Sequence, residues 1–238
     1  MAELLLTVDT ATAAGSVALS RGETLLGELL LNLPATHTDR LLVSVRQLLA
    51  DTGTTVAQLD AFGVVLGPGS FTGLRVGVAT VKGLALATRR PVVGVSTLQT
   101  LALQFPCARH PVCVLLDARK QEVYAGLYGW EGGCPLPLRP EAVLSPERLL
   151  DSLEGEVLFA GDGAAVYRTL IVRHLGHRAH FAPWPLQPPR AAAAAALGLA
   201  ALRRGETIPL PQLAPRYIRP SEAELLWSRR SAEGSIGG

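Results

Sequence analysis

The chain has 238 residues, of which 48% are hydrophobic and 18% are charged. This composition excludes extensive intrinsic disorder, and the length suits one large domain or two small ones. The net charge of +2 gives little long-range attraction for nucleic acid. Any contact with RNA is therefore expected to need the help of a partner.

Membrane insertion and secretion are not predicted. The longest apolar stretch, residues 61–74, contains proline and several glycines and is too short to span a bilayer. Asp9 interrupts the apolar run at the N-terminus, which has no basic region before it. The three cysteines form no CxxC pair, which argues against a disulfide framework. We expect a cytoplasmic protein.

The first hundred residues are predicted to fold as β-β-β-α-β-α-β-α. Short polar breaks separate three apolar segments, which predicts an antiparallel meander over 4–8, 16–19 and 24–31. Helical spacing of leucines follows between His37 and Gly53. The remaining elements are strands 62–66 and 91–95, a helix over 70–88, and a helix that begins near Ser96.

The second half partly repeats the opening of the chain. Both Leu4–Leu19 and Val112–Leu127 read as strand, terminal aspartate, short turn and strand. Duplicated lobes and the commonness of hairpins both explain this similarity. Farther on we expect a loop over 129–140, a strand over 157–160, and helices over 146–153, 165–175 and 191–204.

These elements predict three parts of the chain. An N-terminal lobe covers residues 1–105, and a smaller C-terminal lobe covers 106–220. The last helix of the second lobe can pack back on the first lobe. Residues 221–238, which include the apolar Leu225, Leu226 and Trp227, are expected to form a mobile tail.

A glycine-rich segment, GPGSFTGLR over Gly67–Arg75, lies between a predicted strand and a predicted helix. Backbone amides at such a junction can hold an anion, but the spacing fits neither a Walker loop nor a Rossmann fingerprint. Gly73, Gly77 and Thr80 give the helix a face with little side-chain bulk. This pattern favours close packing or a partner interface over ligand binding.

Two aspartates suggest a second kind of chemistry. Asp9 and Thr10 offer a carboxylate and a hydroxyl at a hairpin turn, as a magnesium and phosphate site requires. Asp117 on the corresponding later turn is the only second catalytic candidate. A polar turn with solvated charges explains the same residues.

Histidine spacing does not predict a metal site. Leu41 occupies the position, four residues after His37, where a helical zinc pair needs its second histidine. His174, His177 and His180 lie three residues apart with no Cys or Glu beside them. Neither Ser70 nor Ser96 lies in a Gly-x-Ser-x-Gly elbow, so a hydrolase is not supported either.

Over about residues 4–220 the chain resembles the TsaB family of the bacterial tRNA threonylcarbamoyladenosine pathway. The motifs that carry the resemblance are Val8-Asp9-Thr10-Ala11, His37-Thr38, the GPGSFTGLR segment, Gly94-Val95-Ser96-Thr97-Leu98, Asp117-Ala118-Arg119 and Glu122-Val123-Tyr124. The resemblance implies a two-lobed α/β fold of the ASKHA (actin-like, ribonuclease H-like) class, with mixed sheets flanked by helices. It also implies a non-catalytic scaffold that pairs with TsaD and TsaE.

In that pathway TsaD transfers a threonylcarbamoyl group to N6 of the adenosine 3′ of the anticodon, in tRNAs that read codons beginning with A. The resemblance implies that ATP and a metal belong to the partner subunits, that tRNA is met only through the complex, and that the chain alone forms a homodimer. This chain itself is expected to need no cofactor and to bind no metal.

The resemblance places the TsaD interface on the first two helices, at His37, Leu41, Val45, Leu48, Gly73, Arg75, Gly77 and Thr80. Gly77→Arg is then expected to abolish TsaD binding and leave the fold intact. Part of the apolar face can instead pack on the chain's own sheet, and the sequence does not apportion it. The alternative function is an actin-fold ATPase or kinase that uses Asp9 and Asp117; a peptidase has the least support.

Overall fold

A computed structural model describes residues 2–33 and 37–218 and contains two mixed β-sheets. The strands of the first sheet are β1 (Leu4–Asp9), β2 (Ala14–Arg21), β3 (Thr24–Asn32), β4 (Ala61–Gly67) and β5 (Val92–Ser96). Their order is β3-β2-β1-β4-β5, with an antiparallel meander followed by two parallel strands. Helices α1 (His37–Asp51) and α2 (Phe71–Thr88) pack side by side against this sheet.

The second sheet contains the remaining strands. They are β6 (Val112–Asp117), β7 (Val123–Glu131), β8 (Cys134–Pro137), β9 (Ala142–Leu144), β10 (Val157–Ala160) and β11 (Ala179–Phe181). The other helices are α3 (Thr97–Ala102), α4 (Pro146–Asp151), α5 (Asp162–Val166), α6 (Arg168–Leu175) and α7 (Ala191–Arg203). In the described residues no helix is both long and apolar enough to cross a membrane.

The two sheets share one topology. Read from β8, the second sheet runs β8-β7-β6-β10-β11, which repeats β3-β2-β1-β4-β5 strand for strand. In both sheets a hairpin is followed by a parallel strand beside its first member. The predicted two-lobed ASKHA fold is confirmed, and the echo between the two halves of the sequence corresponds to equivalent positions in two sheets.

The core of the first lobe lies on both faces of β1, whose residues are all buried. On one face Leu4, Leu6 and Val8 contact α1 and α2. On the other face Leu5 packs against α7, where Gly198 lets the helix approach the sheet closely. Helix α7 therefore packs on the first sheet, although it follows the second sheet in the chain.

Two expectations about local structure are wrong, and one further strand was not predicted. The predicted loop over 129–140 contains β8, an edge strand that pairs with β7. Its two prolines are tolerated because the backbone on the outer side of an edge strand makes no hydrogen bonds to another strand, so the missing N–H groups are not needed there. The three-residue strand β11 was not predicted, and the helix predicted over 165–175 is divided at Tyr167 into α5 and α6.

The segment after α7 returns along the first lobe. Ile208 N–H donates to Val92 O over 2.8 Å, and Arg216 N–H donates to Leu66 O over 2.7 Å. Leu213, between them, is buried in the core under α2. We call residues 207–218 the return segment. The predicted lobe boundaries stay predictions, and the expected tail with Leu225, Leu226 and Trp227 lies outside the described residues.

The start of α7 is held by one buried carboxylate. Glu28 on β3 accepts the Ala192 N–H over 2.9 Å and the Arg190 Nε–H over 2.9 Å. Its side chain is only 5% exposed, so the charge depends on these donors for solvation. Ser16 adds a hydrogen bond from the N–H of Ala191, the first residue of the helix.

Glu28→Ala is expected to lower the free energy of unfolding by about 2–4 kcal/mol, because it leaves the Arg190 charge and a helix N–H without their partner. Urea denaturation measures the change. The matched control is Glu23→Ala, which breaks the Glu23–Arg203 pair at 2.7 Å, where Glu23 is 81% exposed. We expect the control to cost less than about 1 kcal/mol; equal losses in the two variants would contradict the assigned role of Glu28.

Candidate functional site

Asp9 ends β1 in full burial, with no exposed side-chain surface. Its Oδ1 accepts the Ala11 N–H over 2.9 Å, while its Oδ2 has no hydrogen-bond partner among the described residues. Burial raises the pKa of Asp9 to about 7, and the Glu28 carboxylate contributes to the rise. The hydrogen bond from the Ala11 N–H acts in the opposite direction and lowers the pKa. The carboxylate is therefore closed off from solvent rather than presented to a ligand.

Helix α2 closes over the next residue, Thr10. The Thr10 hydroxyl donates to Gly73 O over 2.8 Å. A Cβ on Gly73 would lie 2.1 Å from Thr10 O, and a Cβ on Gly77 would lie 2.4 Å from Thr10 Oγ1. Both glycines are thus required for the approach of the helix to the turn of its own chain.

The loop before α2 packs on the same turn. A Cβ on Gly69 would lie 2.1 Å from Ala11 O, and the Ser70 N–H donates to that oxygen over 2.7 Å. Ser70 then caps α2 by accepting the N–H of Gly73 over 3.2 Å. The glycine-rich segment therefore packs against the turn after β1. This agrees with the prediction that favoured close packing over ligand binding.

His37 lies half-buried at the start of α1. Its Nε2 is 2.7 Å from Thr12 O, so the Nε2–H donates to that carbonyl. Gly15 makes room for the ring, because a Cβ there would lie 2.8 Å from His37 Nδ1. Leu41, in the position of a second metal-binding histidine, is 5% exposed and belongs to the core. His37 thus binds its own backbone.

The predicted partner interface requires a correction. Leu41, Val45 and Leu48 pack in the core of the first lobe, and Gly73 and Gly77 contact the turn at Thr10. These five positions face inward: the three side chains cover the apolar surface of the sheet, and the two glycines make room for the turn. Gly77→Arg is therefore expected to disturb the fold itself, contrary to the prediction from the sequence. Of the remaining three, Thr80 and His37 are half-buried and Arg75 is exposed.

The outward faces of α1 and α2 carry different apolar residues. Leu42 and Val43 on α1 are 57% and 54% exposed, and Leu86 on α2 is 70% exposed. Ala79 and Gly83 on α2 are also exposed, and a Cβ on Gly83 would meet no atom within 4 Å. We call these five residues the outward helix surface.

Arg75 has a defined place beside this surface. Its guanidinium lies 3.8 Å from the centroid of the Phe71 ring, and its Nε–H donates to the Tyr217 hydroxyl over 3.0 Å. The Phe71 and Tyr217 rings stack with centroids 4.8 Å apart. The exposed arginine thereby joins the start of α2 to the end of the return segment.

Asp117 occupies the equivalent turn in the second lobe. Its Oδ1 accepts the Arg119 N–H over 2.9 Å, and its own N–H donates to Asp162 Oδ1 over 3.0 Å. In the described part of the chain no hydrogen bond or ion pair joins Asp117 to Asp9. A cleft between the lobes, lined by Thr12 and Asp162 among others, has a volume of about 110 Å³, and neither Asp9 nor Asp117 lines it. Ligand pockets usually reach about 300–1,000 Å³.

The sequence did not identify a contact between the lobes centred on Glu141. Ser96, the N-cap of α3, and the Tyr128 hydroxyl both donate to Glu141 Oε1, the latter over 2.8 Å. Arg216 Nη1 lies 3.7 Å from Glu141 Oε2. The sequence predicted Ser96 as a helix cap, which identifies one member of this contact. Nothing in the spacing of residues relates Ser96 to Glu141 or Arg216, which lie far along the chain.

Gly77→Ala is expected to lower the free energy of unfolding by about 1–3 kcal/mol, because its Cβ would overlap Thr10 Oγ1. Gly83→Ala in the same helix is the matched control. It points into open space and is expected to raise stability by about 0.5–1 kcal/mol through helix propensity. Thermal or urea denaturation of both variants measures the contrast, and a neutral Gly77→Ala would contradict the packing described here.

Asp9 predicts a dependence of stability on pH. Its pKa is about 7 in the folded chain against an ordinary value of 3.8, so the folded state holds the proton more tightly than the unfolded state. Stability from this group is present below about pH 4 and is lost as the pH rises to about 7. Asp9→Asn should reduce the loss of stability between pH 5 and pH 8 by about 3 kcal/mol, measured by urea denaturation at both pH values. Equal losses in the two proteins would contradict the assignment.

Comparison with known proteins agrees with this architecture. The family model for TsaD, tRNA N6-adenosine threonylcarbamoyltransferase, matches residues 33–227. The tRNA threonylcarbamoyladenosine biosynthesis protein TsaB of Bacillus subtilis is 30% identical over 226 residues, 94% of this chain and 97% of that protein. TsaB of Escherichia coli is 39% identical over 165 residues, 67% of this chain and 71% of that protein.

Among solved structures, a protein of Pseudomonas aeruginosa described by its similarity to peptidase YeaZ is 34% identical, with a TM-score of 0.80 over 91% of this chain and all of that one. YeaZ from the same organism gives a TM-score of 0.79 at the same identity and covers 90% of this chain and 99% of that one. The similarity of this chain to these relatives, in sequence and in structure, extends over almost its whole length. The chain therefore belongs to the TsaB family of tRNA threonylcarbamoyladenosine biosynthesis proteins.

Proposed function

We propose that this chain is a non-catalytic scaffold of tRNA threonylcarbamoyladenosine biosynthesis, which pairs with TsaD and acts with TsaE. In this assignment TsaD transfers the threonylcarbamoyl group to N6 of the adenosine 3′ of the anticodon. The chain's role in the pathway follows from its family. Its role as a scaffold is the proposal, and it rests on how the site is built.

The observation that carries the proposal is the closed turn after β1. A phosphate and magnesium site needs a carboxylate that solvent and metal can reach. Asp9 is completely buried, and α2 covers the turn through Thr10 and Ala11. An ATPase or kinase that uses Asp9 and Asp117 is not favoured, because Asp9 is buried and neither of the two lines the small cleft between the lobes.

The metal and the nucleotide are assigned to the partner subunits. His37 has a backbone acceptor, and Leu41 is part of the core, so this helix offers one imidazole and no second histidine one turn later. A single histidine does not make a metal site. This supports the reading that TsaD holds the metal, and that tRNA is met through the assembled complex.

The partner surface is assigned to the outward helix surface. It combines exposed apolar side chains with the small residues Ala79 and Gly83, which let another helix come close. The side chains that the sequence assigned to the interface, such as Leu48, instead support these helices from below. In the absence of TsaD the same surface is expected to form a homodimer.

Gly83→Arg tests this proposal. The substitution fits the isolated chain, because nothing lies within 4 Å of the added Cβ, and it places a charge in the centre of the proposed contact. We expect TsaD affinity to fall at least about a hundredfold, because the charge would be buried without a partner. Light scattering after size-exclusion chromatography measures both the TsaD complex and the homodimer.

Val166→Arg, at an exposed position of α5, is the matched control and should bind TsaD like the unmodified chain. A tRNA threonylcarbamoylation assay with TsaD and TsaE should require this chain and should fail with Gly83→Arg. Undiminished binding by Gly83→Arg would refute the assigned surface. ATP hydrolysis by the isolated chain, lost in Asp9→Asn, would instead refute the scaffold assignment.

A further inference from the structure

A cluster of metal-binding side chains lies at one end of the second sheet, separate from the outward helix surface. His180 Nε2 lies 2.7 Å from Glu156 Oε2, and His110 Nε2 lies 3.5 Å from the same oxygen. The three ligand atoms all lie within 4.8 Å of one another. His174, by contrast, pairs with Asp151 at 3.1 Å, so the three closely spaced histidines of the sequence do not form one group.

The register of the sheet builds this cluster. Strand β10 lies between β6 and β11, and Leu158 of β10 is paired with both Val112 and His180. Glu156 and His110 each lie two residues before that level on their own segments. Both residues lie just outside their strands, in the turns that lead into β10 and β6, and the parallel pairing of these strands brings the two turns beside His180.

The donor atoms select a class of metal. Two imidazole nitrogens with one carboxylate oxygen suit Zn²⁺, Co²⁺, Ni²⁺ or Cu²⁺, whereas Mg²⁺ and Ca²⁺ prefer sites made of oxygen alone. Around a tetrahedral Zn²⁺, ligand atoms lie about 3.3 Å apart, close to the separation of His110 and Glu156. His180 Nε2, 2.7 Å from the same Glu156 oxygen and within 4.8 Å of the His110 ligand atom, supplies the third protein ligand of an open site.

We propose that His110, Glu156 and His180 form a binding site for one divalent transition metal of the zinc class. The fourth position would be left to water. The site ties together three segments that are far apart in the sequence, which are the turns before β6 and β10 and the strand β11. This revises the expectation, based on sequence spacing, that the chain has no metal site.

The geometry sets one requirement for binding. The two imidazole rings stack in parallel, with centroids 4.8 Å apart and planes 5° apart. A metal lies near the plane of each imidazole ring that binds it. One metal cannot lie in the planes of two stacked, nearly parallel rings, so one of the rings must turn about its Cβ–Cγ bond. His110 and His180 are 26% and 41% exposed, which leaves room for this turn.

Charge favours the exchange of protons for a metal. Glu156 Oε2 is a carboxylate oxygen that faces both His110 Nε2 and His180 Nε2. One carboxylate facing several imidazoles attracts a cation when the imidazoles are neutral. Metal binding then releases any proton from the nitrogens that coordinate.

The experiment uses the full chain without a histidine tag, stripped of metal, and titrates it with Zn²⁺ by calorimetry and with Co²⁺ by visible absorption. We expect one equivalent to bind, with the Co²⁺ bands of nitrogen and oxygen coordination, and no response to Mg²⁺. His180→Ala and Glu156→Gln should each weaken Zn²⁺ binding by roughly a hundredfold, because each removes a direct ligand.

His174→Ala is the matched control, because it removes a surface histidine that is paired with a carboxylate away from the cluster. It should bind Zn²⁺ like the unmodified chain. Circular dichroism confirms that each variant is folded, and Glu156→Gln changes only an exposed side chain. Failure of the unmodified chain to bind Zn²⁺, or equal affinity in His174→Ala and His180→Ala, would overturn the proposal.

Discussion

The close approach of α2 to the end of β1 is the constraint on which the first lobe depends. The helix reaches the turn only because Gly69, Gly73 and Gly77 have no side chains, and the Thr10 hydroxyl fixes its height through Gly73 O. With α2 in this place, Val78 and Val81 meet the sheet beside the leucines of α1. Packing of the glycines, rather than the capture of an anion, accounts for the most distinctive segment of the sequence.

The same contact connects structure to function. Asp9 is completely buried at the position where a phosphate-transfer enzyme would need an accessible carboxylate, and α2 covers the turn that follows it. Because their inner faces are fully used by the sheet, α1 and α2 can present only their outer faces to another protein. The covered turn and the firmly supported helix pair are therefore two results of one packing arrangement.

Much of the fold could be predicted from the sequence, because the periodicity of apolar residues reports burial directly. The helices at 37–51 and 71–88 and the strand Val157–Ala160 are examples. Strands β8 and β11 could not be predicted, since they are short and exist through pairing with remote segments. The candidate site was harder to predict from the sequence than the fold. Leu41 and Leu42 are chemically identical neighbours, and only packing on the sheet decides that one is buried and the other exposed. Likewise, a stripe of glycines indicates a close neighbour without telling whether that neighbour is a partner helix or the chain's own turn.

The convergence on Glu141 bears on how the molecule moves. Hydroxyl donors from the first and second lobes and the Arg216 guanidinium of the return segment all meet at this one carboxyl group, which is 9% exposed. Rotation of one lobe against the other would separate at least one donor from a charge that has little access to water, so hinge opening carries an electrostatic penalty. The contacts at Glu141 thereby restrict motion between the two lobes. A force applied to α1 and α2 by a docked protein would be transmitted to the second lobe instead of being absorbed by a hinge between the lobes.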